Sequence, residues 1–404
     1  EDRPCLAVHL WLDKNGRAMQ HQFVRGLMHS HARLTYNQVQ AAIDGNPDKL
    51  TAPLINSVLK PLYGAYEAFC RERFDREPLD LELPEKKIML DKKGNVQEVR
   101  TRQRHDSHKL IEEFMIAANV AAATALEKSK QPCLYRTHEE PPAKNLESYR
   151  NFLKSIGFKL AKGQVLMPRH FNQILQKASD GDYFDAISQM TLRSQSQATY
   201  TGKNVGHFGL ALRRYCHFTS PIRRYADLMV HRALIAGLAL GDGALEDKTI
   251  DLEELGEHLS VTERRAAVAE RDVVDRFSTT YLASKIGETF SGTINGVTKF
   301  GLFVTLDDTA ADGLVPIRSL TDDYYKFDEK RMALKASRAK KVFHLGMKIE
   351  VVLKEANPVS GSLVLEIAGQ SHSNSQSNSN SRPKKVKKQR HSSGQKRQRR
   401  TRKR

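Results

Sequence analysis

Apolar and polar positions alternate over residues 5–12 and again over 19–24, the period of a half-buried strand. Between them, "DKNGR" carries Asn15-Gly16, a pair suited to a tight turn, so the two segments predict a β-hairpin. The period then lengthens to that of a helix through Tyr36–Ile43 and Leu54–Phe74. "KKIMLDKKGNVQEVR" predicts a second hairpin. The strongest helical signal runs from about Ser107 to Lys128, where Leu110, Ile111, Phe114, Met115, Ala118 and Ala121 line one stripe. "CLYRTHE" predicts a short strand, Asn145–Ile156 a helix and "ISQMTLRSQSQATY" another, followed by the glycine-rich "GKNVGHFGLAL". Leu252 to about Lys285 predicts a long charged connecting helix. From Gly287 the period is two: "GETFSGTINGVTKFGLFVTLDD", "GLVPI", "KIEVVLKEAN" and "SLVLEIA" predict five short strands and a small β-barrel of the OB type. After Gln370 the apolar content vanishes, so the last residues cannot build a core and are predicted disordered.

Within this pattern, "HFTSPIRRYADLMVHR" reads as the start of a helix with two arginines in its first turn. Positive charge there opposes the helix macrodipole, at about 0.3–1 kcal/mol per exposed group. Ser220 is placed to cap the helix and Pro221 to occupy its first position. Ile222, Tyr225, Met229 and Ala233 then form an apolar stripe, with Arg223, Asp227 and His231 along another face. On the residues alone, two explanations are open. Either the helix start holds a phosphate or carboxylate, bound by free N–H groups and a guanidinium together, or Arg223 pairs with Asp227 and merely supports the helix by roughly 0.3–0.5 kcal/mol. His207, His217 and His231 are irregularly spaced and read as hydrogen-bonded structural histidines.

Composition narrows the setting. The chain has 404 residues, enough for two or three domains, and no apolar run approaches the ~18–20 residues of a membrane-spanning helix. Net charge is +18, but the last 34 residues hold 13 Lys and Arg and no acid, leaving 52 basic against 47 acidic residues elsewhere. The basicity therefore belongs mostly to the tail. Cys5, Cys70, Cys133 and Cys216 are far apart and form no CxxC pair, which argues against a zinc site or disulfide frame and fits a reducing cytoplasm. The chain opens on Glu1 with no signal-peptide pattern, already in strand-like alternation, and is expected to be cut from something longer.

"GHFGLALRRYCHFTSPIRRYADLMVHRAL" resembles the signature of the RNB exoribonucleases, the ribonuclease II/ribonuclease R family. "MHSHARLTYNQVQAAIDG", "HKLIEEFMIAANVAAATALE" and "CLYRTHEEPPAKNLESYRNFL" resemble further blocks of the same domain, in the same order. "GTINGVTKFGLFVTLDDTAADGLVPIRSL" resembles an S1 RNA-binding domain, and the "DDYYKFD" after it is typical of ribonuclease R-type members. The likeness covers residue 1 to about 368 and implies an α+β chain. Residues 1–286 would be a mixed α/β RNB catalytic domain, N-terminally truncated and ending in the connector helix. Residues 287–369 would be an S1 barrel and 370–404 a disordered basic tail.

The resemblance implies a hydrolase that removes nucleotides from RNA 3′ ends as 5′-monophosphates, with Mg²⁺ held by an aspartate cluster. The family's signature arginine falls on Arg223, where it would neutralise charge growing on the scissile phosphate; Arg224 and Ser220 would support the same region. Tyr36 matches an aromatic position that contacts RNA bases, against the alternative of a tyrosine packed on the core. Glu113 matches a glutamate that contacts the terminal nucleotide; Glu112 beside it is the alternative, and an exposed helix acid is the bland reading. One departure is serious. The family's metal-binding acids form a DxxxxxDxDD block upstream of the blocks seen here, and neither "SDGDYFDA" nor "LDDTAADG" replaces it. The polypeptide is therefore expected to be unable to complete the metal site and to be inactive alone. A non-catalytic RNA-binding protein is the alternative function.

On the barrel, Lys299, Phe300 and Phe303 fit the ring-plus-cation chemistry that binds single-stranded RNA. Strand parity assigns one phenylalanine to the core unless Gly301 makes a bulge, with Phe300 expected outward. The tail would attract RNA or ribosomes with a strong salt dependence, or would simply solubilise the chain. A cytoplasmic monomer completes the expectation.

Overall fold

The computed structural model describes residues 1–369 except 82–85, 102, 164, 182, 246–249 and 330; the expected tail lies outside the described residues. The initial alternation produces a long antiparallel hairpin, β1 (Asp2–Leu12) and β2 (Ala18–His29). It runs past the alternating apolar positions because pairing continues to Asp2 opposite His29, whose ring nitrogen lies 2.8 Å from the Asp2 carboxylate. Next comes α1 (Tyr36–Ile43), where the Thr35 hydroxyl accepts the Gln38 N–H at 3.3 Å and the Gln38 side chain returns the bond. The helix expected over 54–74 is composite: short 3-10 and π turns lead into α2 (Lys60–Arg76). The second hairpin, β3 (Lys86–Leu90) and β4 (Val96–Thr101), forms as expected.

The central helix α3 (Asp106–Lys128) buries Leu126 together with Ala118, Ala121, Ala122 and Ala125, whose small side chains let neighbours approach closely. The expected stripe is shifted at its start: Ile111 is exposed and Ile116 is buried instead. Phe23 of β2, with Leu6, Val8 and Leu10 of β1, shares this core. Then follow β5 (Tyr135–Thr137), α4 (Ala143–Ser155), α5 (Pro168–Ala178), α6 (Phe184–Ser194), β6 (Thr199–Thr201), α7 (Tyr225–Gly237) and α8 (Leu252–Ala283). The helix expected over 187–200 stops at Ser194, since Thr199–Thr201 pairs with β5 as a strand. Gly256 lets α8 cross β6: a Cβ there would stand 2.4 Å from the Tyr200 carbonyl.

The five expected barrel strands are present as β7 (Thr289–Thr298), β8 (Gly301–Leu306), β9 (Asp312–Pro316) and, after an insert, β13 (Lys348–Asn357) and β14 (Ser362–Ile367). They close in the order β13-β14-β9-β8-β7, with β14 and β9 parallel. Ile294, Leu302, Val304, Val351, Leu353 and Leu365 fill the interior. The insert is a three-stranded sheet, β10 (Tyr325–Asp328), β11 (Ala333–Ala336) and β12 (Val342–His344), that the alternation did not reveal. Just beyond it, Leu345 is buried with Tyr149, Phe171 and Ile187, tying the barrel to the helical body.

Candidate functional site

α7 begins at Tyr225, one turn later than expected, and Pro221–Arg223 form a tight turn before it. Ser220 is accordingly not a helix cap. Its carbonyl accepts the N–H groups of Arg223 (3.3 Å) and Arg224 (3.1 Å), and its own N–H donates to Asp227 Oδ1 at 2.7 Å. The cause is Asp227, which a helix starting at Tyr225 places in the first turn, where its carboxylate reaches back to the loop. Asp227 is fully buried and grips Arg224, Nε to Oδ2 at 2.7 Å and NH2 to Oδ1 at 2.8 Å. The ion pair that one of the two explanations gave to Arg223 thus forms with Arg224 instead. Arg223 is exposed and has no ion-pair partner among the described residues. The expected stripe is also broken: Met229 and Ala233 are buried, while Ile222 is fully exposed and Tyr225 half exposed. One arginine is structural and the other is presented to solvent.

α3 fastens this turn from behind. Buried Asn119 accepts the Phe218 N–H at 2.8 Å and donates to the Tyr215 hydroxyl at 3.0 Å. Neither Asn119 nor the anchoring role of Asp227 was assigned from sequence; a lone amide inside an alanine stripe was the available signal.

The three histidines are satisfied structural groups, as expected. His217 Nδ1 is 2.8 Å from the Tyr200 hydroxyl, His231 Nε2 is 2.8 Å from the Phe218 carbonyl, and His207 Nδ1 accepts the Leu210 N–H at 3.1 Å. Burial, then nearby Arg224, pulls His217 down to about 2; burial, then His138, pulls His207 down to about 3. Both stay neutral in the fold but take up a proton in the unfolded chain below its ordinary 6.5. The unfolded state then binds more protons, so stability falls with pH below about 6.5, at about 1.4 kcal/mol per pH unit for each histidine. Urea unfolding at pH 7 and pH 5 should show this loss, and His217→Gln should lessen it; equal midpoints would contradict the assignment.

Glu113 on α3 is not an exposed acid. It is 4% exposed, with Oε1 2.9 Å from Arg73 NH1 and Oε2 3.7 Å from Arg76 NH2. Burial pushes its carboxyl above the usual range against the pull of the two guanidinium groups. Glu112 faces outward and pairs with Arg104. Tyr36, at the start of α1, is 41% exposed and stacks on His108 of α3 with ring centroids 4.1 Å apart. It is therefore neither a core tyrosine nor a free ring. α3 thus carries Glu113 and the partner of Tyr36, while Ser220, Arg223 and Arg224 occupy the turn before α7.

The barrel site lies on a separate hairpin. Phe300 is 67% exposed with Lys299 Nζ 5.0 Å above its ring, and Phe303 is 41% exposed beside Gly296. The expected assignment of one phenylalanine to the core fails. β7 ends at Thr298 and Phe300 sits in the turn, so strand parity does not connect the two rings. Gly301 makes the turn possible: its φ is +150°, and a Cβ there would stand 2.1 Å from the Val315 carbonyl. Leu302 and Val304 take the inward positions.

Among the described residues, no three His, Cys, Asp or Glu side chains converge as a metal-ion group. The donors among the described residues do not fit a divalent-metal centre. No helix among the described residues is long and apolar enough to cross a membrane.

The RNB domain model matches residues 1–239, more than half of the chain. The chain belongs to the RNB family. The S1 RNA binding domain model matches residues 284–368 of this RNB protein, covering the barrel and its insert. Ribonuclease R of Escherichia coli (strain K12) is 38% identical over 367 residues, 88% of this chain and 45% of that protein. Ribonuclease R of Aquifex aeolicus is 38% identical over 353 residues, 87% of this chain and 50% of that protein. Mycoplasma genitalium RNase R, solved in complex with ribose methylated single-stranded RNA, superposes with a TM-score of 0.83 at 27% identity, over 91% of this chain and 58% of that one. The chain spans about half the length of the curated relatives it matches.

Proposed function

We propose that this RNB chain is the RNA-engaging portion of a 3′–5′ exoribonuclease of the ribonuclease R type, which releases nucleoside 5′-monophosphates. The observation that carries the reading is the division of labour at the α7 turn: Arg224 is neutralised by buried Asp227, leaving Arg223 exposed as an unpaired guanidinium beside it. An RNA phosphate supplies the missing anion. Tyr36 stacks on a base and Glu113 orders the ground around the 3′ nucleotide; Ser220 and Arg224 shape the turn. Residues 1–286 act as the catalytic-domain part and 287–369 as an RNA-holding barrel through Lys299, Phe300 and Phe303, with the basic tail adding long-range attraction for RNA or ribosomes. The setting is a monomer in the cytoplasm.

Magnesium is the proposed cofactor, held by carboxylates other than those of this chain's described residues. Residues 1–404 added to 3′-labelled RNA with magnesium should bind it without releasing mononucleotides; efficient release would contradict this. The same lack of converging metal ligands favours a second reading, an RNA-binding protein without chemistry. Joining the chain to the family's upstream acidic block separates the two, since only the first reading predicts restored cleavage.

A further inference from the structure

The insert sheet β10–β12 has two unlike faces. Tyr325, Leu334 and Phe343 turn inward and join the barrel core. On the other parity of β10 stands Lys326, directly opposite Lys335 of β11. Like charges facing each other across a strand pair are destabilising. Lys335 is offset by Asp328, 2.5 Å away, and Lys341 by Asp322, 3.0 Å away. Lys326 and Lys340 are exposed and have no ion-pair partner among the described residues. Two positions before Lys326, Tyr324 is 71% exposed, while its carbonyl is held by the Ser337 N–H at 2.9 Å. An uncovered ring held by its backbone, two residues from the unpaired Lys326, suits a base and its flanking phosphate, and Lys340 adds a second ammonium on the β11–β12 loop.

We infer that the outward face of β10–β12 is a second contact for single-stranded RNA, with Tyr324 stacking on a base and Lys326 and Lys340 meeting phosphates. It repeats, away from the β7–β8 turn, the ring-and-ammonium arrangement of Phe300 and Lys299. The inference rests on the proposed RNA-binding function but not on catalysis.

The test is the affinity of residues 1–404 for a single-stranded oligoribonucleotide as a function of salt. Tyr324→Ala should weaken binding roughly tenfold at fixed salt, the effect of one lost base stack. Lys326→Gln with Lys340→Gln should flatten the slope of log affinity against log salt by roughly 1.4, about 0.7 for each phosphate contact. Lys326→Gln alone should melt no lower than the parent, because it removes the repulsion with Lys335. Parent-like binding by these variants, while Phe300→Ala/Phe303→Ala still weakens it, would overturn the inference and leave the general RNA reading intact. Loss of poly-glutamate binding with RNA affinity unchanged would overturn it in favour of an acidic protein partner. Unchanged RNA binding by all variants, the phenylalanine pair included, would sink both.

Discussion

Arg223→Ala, in a protein that also carries the family's acidic block, should slow mononucleotide release about 10³-fold while weakening RNA binding only a few-fold. The two effects separate because Arg223 is exposed and unpaired, so its removal disturbs no internal contact. Its proposed work lies in meeting charge that grows on the phosphate as the bond breaks, an interaction stronger in the transition state than in the bound substrate. A 10³-fold loss corresponds to about 4 kcal/mol. Arg223→Lys should restore only part of it, since an ammonium lacks the planar fork that meets two phosphate oxygens together. Single-turnover release and anisotropy binding on the same labelled RNA measure the two quantities. Equal losses would assign Arg223 a plain binding role.

Asp227→Ala should cost about 3–5 kcal/mol of stability, the range for breaking one side of a buried ion pair. Asp227 is fully buried; its Oδ1 accepts the Ser220 N–H and an NH2 donor of Arg224, while its Oδ2 pairs in charge with Arg224 Nε at 2.7 Å. Without it, the guanidinium of Arg224 and the Ser220 N–H lose their acceptor, and the turn that presents Arg223 loses its anchor. Arg224→Ala should be similarly damaging, because it strands the buried carboxylate. Arg223→Ala should change stability by less than about 0.5 kcal/mol, as an exposed site does. Urea midpoints of the three variants check this; two neighbouring arginines with equal effects would contradict it.

That separation marks where sequence reading reached and where it stopped. The barrel strands were legible because alternation with glycine at the turns is a local signal, and the closed β13-β14-β9-β8-β7 order confirms them. The RNB blocks pointed to the turn before α7 as a candidate site. Spacing alone offered Asp227 as a partner for Arg223, because counting four residues assumes a helix already formed at Pro221. Where the helix starts depends on the buried Asp227 carboxylate drawing in the Ser220 N–H, a tertiary effect invisible to a residue count. The core assignment of one phenylalanine failed for a related reason: parity holds along one strand, and Gly301, the residue where a break was open, interrupts it with a φ of +150°. Glu113 was visible as an acid on α3, but its burial against Arg73 and Arg76 joins residues far apart in the chain. The β10–β12 insert was missed because its strands are three or four residues long, too short for a period to register.

Arginine side-chain NMR reads whether Arg223 is the unpaired cation that meets an RNA phosphate. In residues 1–404 labelled with ¹⁵N-arginine, the Nε–H signals of Arg223 and Arg224 can be assigned from the Arg223→Lys and Arg224→Lys variants. On addition of a short oligoribonucleotide, the Arg223 signal should move while that of Arg224, held by Asp227, stays in place. An unmoved Arg223 signal, with binding visible elsewhere in the spectrum, would contradict the account.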